Sequence, residues 1–201
     1  MKEGRISMTK EQLDVAGWLS IASALFAIPS IVMAWFLESM QGTGAKVSQA
    51  ILTAVDLGLF LYVISSLKKL LNSRFQFHDV DIYISLLIWG NVILCVLSIL
   101  SLGSMRLELV FRYLSMVALI IFGILSIMFA TRLLRLSGNL YGLLKSFSYT
   151  QIVCGICFIT VILLPVGIIA DAVADVILAV IFFRAAEQPL STVEIFSTPI
   201  E

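Results

Sequence analysis

Six stretches of the chain are apolar almost without interruption: residues 15 to 37, 47 to 67, 82 to 103, 109 to 131, 147 to 165 and 167 to 183. Each is close to the roughly 20 residues that a helix needs to cross a hydrocarbon layer of about 30 Å. Segments of about ten residues with alternating polarity, the mark of a membrane barrel, are absent. The pattern predicts an all-α fold, a polytopic transmembrane helical bundle of six spans. The fifth and sixth share the run from Phe147 to Phe183, so "LPVG", Leu164 to Gly167, must turn tightly between them. Proline lacks the N–H that a helix interior needs and glycine accepts positive φ, which suits both to that turn.

Composition agrees with the pattern. Hydrophobic residues make up 60 % of the chain and charged residues 13 %, far from the balance of a water-soluble domain. The surface this implies is one covered by a lipid bilayer. Lys+Arg and Asp+Glu each number 13, so net charge gives no reason to expect nucleic acid. No polar segment is long enough to build a core of its own. The chain therefore reads as one membrane domain over residues 1–201, with a tail over 184–201. The apolar run from Val15 to Leu37 exceeds the roughly 7 to 15 residues of a signal-peptide core, and is read as a retained anchor. Cys95, Cys154 and Cys157 fall inside spans, which implies no disulfide framework.

Threading follows from the basic residues. With six spans and a cytoplasmic N-terminus, Lys2, Arg5, Lys10, Lys68, Lys69, Arg74, Arg132, Arg135, Lys145 and Arg184 lie in the cytoplasm, and only Lys46, Arg106 and Arg112 lie opposite. Ten against three satisfies the positive-inside rule. Both termini are then cytoplasmic, and the host is the cell (inner or plasma) membrane; a five-span alternative would put the tail from Glu187 to Glu201 outside, and the charge rule constrains this end least.

The last span carries Asp171 and Asp175 one helical turn apart. An aspartate at a helix centre costs about 3 kcal/mol on insertion scales, and each Leu, Ile, Phe or Val returns about 0.3 to 0.6 kcal/mol. Two bare, ionised aspartates would cancel most of that gain. Each needs a partner or a proton. At 1.5 Å per residue Asp171 comes about 6 Å below the outer end of its span, level with Arg112 of the fourth, so an Arg112–Asp171 ion pair is expected. Arg106, Glu108 and Glu38 are the nearby alternatives. Asp175 is one turn deeper, at the level of Asp56 in "ILTAVDLGLF" and Asn91 in "LLIWGNVIL". Asp56, Asn91 and Asp175 form a candidate midplane polar site, where facing carboxylates could share a proton or hold a cation. The competing reading has each bonded to a Ser, a Thr or a backbone carbonyl of a neighbouring helix.

Other signals are structural in kind. "CGIC", Cys154 to Cys157, has the spacing of redox thiols, but it lies at mid-membrane without a second, loop-borne pair and reads as packing. His78, Asp79 and Asp81 in "FQFHDVD" offer at most three ligands where zinc needs four, so no metal or other cofactor is expected. "LKKLLNSRF" reads equally as a headgroup-binding segment or as a helix end with snorkelling lysines. Ala16/Ser20/Ala24, Ala54/Gly58, Ser126/Ala130 and Ala170/Ala174 have the small-xxx-small spacing of close helix contacts. Pro29 is expected to kink the first span. A faint period of about 65 residues links Trp18, Tyr83 and Tyr149, and Gly90 with Gly155, as three tandem hairpins would.

No GxSxG, HExxH, Walker A or dinucleotide fingerprint occurs, which weighs against an enzyme. Two main functions remain, with a membrane-embedded enzyme that uses carboxylates as a distant third. The first is a non-enzymatic bundle subunit that packs with itself, as a homo-oligomer, or with a larger membrane complex. The second is a small proton- or cation-coupled transporter or channel for a small solute, using the midplane carboxylates. An internal pocket lined by Asp56, Asn91 and Asp175 would favour the second. A C-terminal reporter active only outside the cytoplasm is expected to be silent, and a fusion fluorescent in the cytoplasm to be bright; the reverse pattern removes the six-span topology.

Overall fold

The computed structural model describes residues 8–40, 42–101, 105–136 and 138–188. All regular structure among them is helical: α1 Lys10–Ser39, α2 Thr43–Arg74, α3 Asp81–Ser101, α4 Met105–Leu133, α5 Leu144–Thr160 and α6 Leu164–Glu187, with a 3₁₀ turn at Leu140–Gly142. α1, α2, α3, α4 and α6 are long and apolar enough to cross a membrane. The chain is a membrane-embedded helical bundle. α5, with 17 residues, is about 26 Å long, at the lower limit for a span.

Local chemistry sets the helix ends. α1 starts in a capping box: Gln12 N–H donates to Thr9 Oγ1 and Thr9 N–H to Gln12 Oε1, both at 3.3 Å, which satisfies two otherwise orphaned donors. α1 runs on past Pro29. The turn between α5 and α6 falls at Val161–Leu163, earlier than the expected Leu164 to Gly167. Pro165 lies in the first turn of α6 instead, where a missing N–H costs nothing. Val161 takes the reversal at φ 53°, an uncommon conformation for a β-branched residue. Gly167 serves packing rather than the turn: a Cβ there would stand 3.0 Å from Cys157 and from the Phe158 ring.

The helices form a closed ring. Each packs against its neighbours in sequence, and α6 returns to α1. The closest seams are α1–α6 and α4–α5, the sparsest is α2–α3, so the tightest pairs join successive hairpins rather than the two arms of one. At the α4–α5 crossing the backbones nearly touch: a Cβ on Gly123 would lie 2.6 Å from the Gly155 carbonyl oxygen, and one on Gly155 equally close to that of Gly123. Ala16, Ser20, Ala24, Ser126, Ala130 and Ala174 are buried, as their spacing predicts. Ala54 and Gly58 are not: both are exposed, and an added Cβ on Gly58 meets nothing within 4 Å.

The apolar core lies at one end, where α1, α3 and α5 begin and α2, α4 and α6 finish. Leu13, Leu67, Ile84, Leu133, Phe147 and Phe182, one from each helix, are at most 1 % exposed. Most of the basic residues cluster at this same end. "LKKLLNSRF" is here the last turns of α2, with Leu67, Leu70 and Leu71 in the core. Asp81 staples the start of α3 to α2, accepting from Asn72 at 3.1 Å, pairing with Lys68 at 3.8 Å and meeting His78 at 3.1 Å. Arg74 donates to Tyr141 Oη at 2.9 Å and to the Gln188 carbonyl at 2.8 Å, while Arg184 donates to the Tyr141 carbonyl at 2.7 Å. The expected tail thus begins inside α6, and residues 189–201 lie outside the described set.

Gly123→Ala and Gly155→Ala should each lower stability by about 1 to 3 kcal/mol through overpacking, read as a lower unfolding temperature in detergent. Gly58→Ala should leave it unchanged or raise it by up to about 1 kcal/mol. Equal effects at all three positions would contradict the close α4–α5 crossing.

Candidate functional site: an acidic chamber inside the ring

Beyond the core the helices no longer fill the interior. They enclose a half-open cavity of about 620 Å³, within the range of small-molecule pockets. Val63, Phe129, Phe147 and Leu178 belong to both the core and the cavity lining and make its floor. From there the space continues to Ile31, Ser98, Phe111 and Ile168, close to the helix ends opposite the basic clusters.

Asp56 of α2, Asn91 of α3 and Asp175 of α6 all line this cavity, and Asp171 joins them. Asp56 and Asp171 are exposed within it, and Asp175 and Asn91 are half-buried. Each has a distinct setting. Asp175 shares the lining with Ser23 of α1. Asn91 donates to the Leu87 carbonyl of its own helix at 3.0 Å, so its oxygen stays available as an acceptor. Asp56 has no hydrogen-bond or ionic partner among the described residues.

Asp171 lies against Cys154 of α5 rather than Arg112. The Cys154 thiol stands 3.8 Å from the carboxylate and 3.6 Å from the Gly167 carbonyl. α6 packs on α1 and α5, whereas Arg112 is on α4, one helix further round. The side chains of Arg106, Glu108 and Glu38 lie outside the described residues. Cys95, Cys154 and Cys157 are buried free thiols. His78 and Asp81 belong to the α2–α3 staple, far along the helices from the chamber.

The chamber has two unlike walls. On α6, α1 and α2 stand Asp171, Asp175, Ser23, Ser30, Thr53 and Asp56; on α4 and α5 stand Phe111, Phe122, Phe129, Phe147 and Phe158. Phe129 and Phe147 meet edge to face, with centroids 6.4 Å apart, and the Phe122 ring lies where a side chain on Gly90 would be, 2.8 Å from its Cβ position. Gln151 joins the polar groups through a 2.8 Å bond from Ser126 Oγ. None of these phenylalanines stands out in the sequence, where a phenylalanine facing a chamber has the same local pattern as one facing lipid. No protein family, curated protein or solved structure matches the chain.

The acidic lining makes a test. In a chain with its three cysteines replaced, Ser115→Cys on the α4 wall should react about tenfold faster with a trimethylammonium thiosulfonate than with its sulfonate analogue, because a cavity of one charge sign concentrates the opposite sign. Mass spectrometry of the labelled chain measures both rates. Equal rates, or no reaction, would show that the wall does not face an acidic, water-filled space.

Proposed function

We propose that this chain is a membrane-embedded solute-binding bundle that takes a small solute into the chamber and links its binding to a proton or cation through Asp56, Asp171 and Asp175. The observation that carries the reading is that polar groups from three helices, Asp56, Asn91 and Asp175, line one cavity of about 620 Å³. A bundle that served only as packing would gain by filling that space, since an unfilled core cavity costs about 24 cal/mol per Å³. It would also gain by replacing the aspartates, each costing about 3 kcal/mol at a helix centre. Binding gives both features a use. With the basic end in the cytoplasm, as the positive-inside rule directs, both termini are cytoplasmic and the chamber opens to the outer face of the cell membrane.

A second reading, assembly with a further copy or a larger membrane complex, is favoured by the outward-facing Ala54 and Gly58 of α2, where a second helix backbone could approach closely. The two readings are compatible.

The test is retention. The full chain in lipid nanodiscs is equilibrated with a small-molecule cell extract, washed, and its retained solutes are identified by mass spectrometry. At least one solute is expected in excess over empty nanodiscs, with loading that changes with pH or sodium concentration. An Asp56→Asn, Asp175→Asn double variant that folds should retain about tenfold less, the effect of losing about 1.4 kcal/mol. No excess on the unaltered chain would overturn solute binding; excess independent of pH and cations would overturn the linkage.

A further inference from the structure

The chamber offers a guest many hydrogen-bond acceptors and few donors. Ser30, Thr53 and Ser115 each give their hydroxyl proton to a carbonyl of their own helix, at 3.0, 2.9 and 2.9 Å. Ser126 gives its proton to Gln151, and Asn91 gives one of its two N–H groups to Leu87. What the hydroxyls retain is oxygen lone pairs. Three carboxylates add to these acceptors, and among the described residues the lining includes no Lys, Arg or His. The Gln151 amide and the second N–H of Asn91 remain as donors for a guest's oxygens, but the three carboxylates outweigh them and disfavour an anion. A cation satisfies the whole set.

Size then separates kinds of cation. A bare metal ion is held by oxygens at about 2.0 to 2.6 Å, which requires a tight ligand cage. Among the described residues no three His, Cys, Asp or Glu side chains converge on such a point, and 620 Å³ is about twentyfold the roughly 30 Å³ that one water occupies in the liquid. The opposite wall settles the shape of the body. Phe111 and Phe122 of α4 present phenyl surface to the chamber, and Phe158 of α5 and Phe60 of α2 add more beside the carboxylates. Aromatic faces attract an ammonium within about 6 Å and bury an apolar body equally well.

Resting on the solute-binding reading above, we propose that the guest is a small organic cation, an ammonium group carried on an apolar, ring-sized body. Its charged head is taken by the Asp171 and Asp175 carboxylates of α6, Asp56 of α2 adds negative charge to the same cavity, and its body lies against the phenyl wall of α4 and α5.

The experiment uses the unaltered full chain in nanodiscs and four defined probes: phenylethylammonium, its neutral counterpart 2-phenylethanol, ethylammonium without the ring, and phenylacetate. Binding is read by calorimetry, with the rise in unfolding temperature as a second measure. Phenylethylammonium should bind at least about tenfold more tightly than each of the others. Asp56→Asn should weaken phenylethylammonium by a similar factor and leave 2-phenylethanol unchanged. Phe111→Leu should weaken phenylethylammonium and leave ethylammonium unchanged. If 2-phenylethanol or phenylacetate binds as well as the cation, the cationic class is wrong while solute binding stands. Should ethylammonium match phenylethylammonium, the aromatic wall has no part in recognition and the proposal fails on that arm. When none of the four binds, the proposal falls, and the extract experiment decides separately whether the chamber takes any solute.

Discussion

A carboxylate below the membrane surface must have water, a donor or a proton, and the architecture of this bundle follows from meeting that demand for three of them. Asp56, Asp171 and Asp175 sit well inside helices whose outer faces carry Ile, Val and Leu. Facing them outward would set each against acyl chains at about 3 kcal/mol apiece. Facing them inward requires an interior that is not solid hydrocarbon. The ring answers by dividing its length: one end is packed apolar core, and the rest is an open chamber into which the acids project.

That division puts a heavy load on few contacts. A bundle with no packed centre over half its length must hold its helices by their seams and by the clamped end. The seams that touch most closely, α1–α6 and α4–α5, are the ones built from small residues, Ala16 and Ala174 in the first and Gly123 and Gly155 in the second. Without a hydrophobic drive between helices in lipid, such close backbone contact is what supplies attraction. α2 and α3 lack it. They are joined instead at the basic end, where Lys68, Asn72 and His78 gather on Asp81. The pair is thus fixed at one end and sparsely held along the chamber, which makes α2–α3 the seam with least resistance to opening.

Much of this was legible from residue order, and the part that was not has a physical cause. Period and length place six helices because a helix in lipid must satisfy its own backbone and be long enough to cross. The depth of each polar residue follows from a fixed rise per residue, which is why Asp56, Asn91 and Asp175 could be singled out. Azimuth and neighbourhood do not follow. Arg112 and Asp171 share a depth yet lie on α4 and α6, which are not neighbours in the ring. Ala54 and Gly58 have the spacing of a packing face and point outward, since the spacing requires only that a face be small. Proline and glycine mark "LPVG" as punctuation, but Pro165 works as a helix start and Val161 makes the reversal. The phenyl wall was invisible, because Phe111, Phe122 and Phe158 are as hydrophobic as any lipid-facing residue.

The floor of the chamber decides how far binding can become passage. Val63, Phe129, Phe147 and Leu178 close it, and beneath them the core continues to the basic end with no break in the cluster of buried side chains. A guest admitted from the open end therefore meets a thick apolar plug. Passage would need α4 and α5 to separate from α1, α2 and α6 at that level, disrupting the edge-to-face pair of Phe129 and Phe147 and desolvating the cationic head as it leaves the last carboxylate, Asp175. Asp175 is one turn deeper than Asp171 and adjacent to Leu178 of the floor. On the proposed reading, the residue that would release a guest thus stands beside a floor residue that would have to move. Neutralising Asp175 with a proton would weaken its hold on a cation at the same point in the fold, which is where a coupling between proton and solute has its most direct physical path.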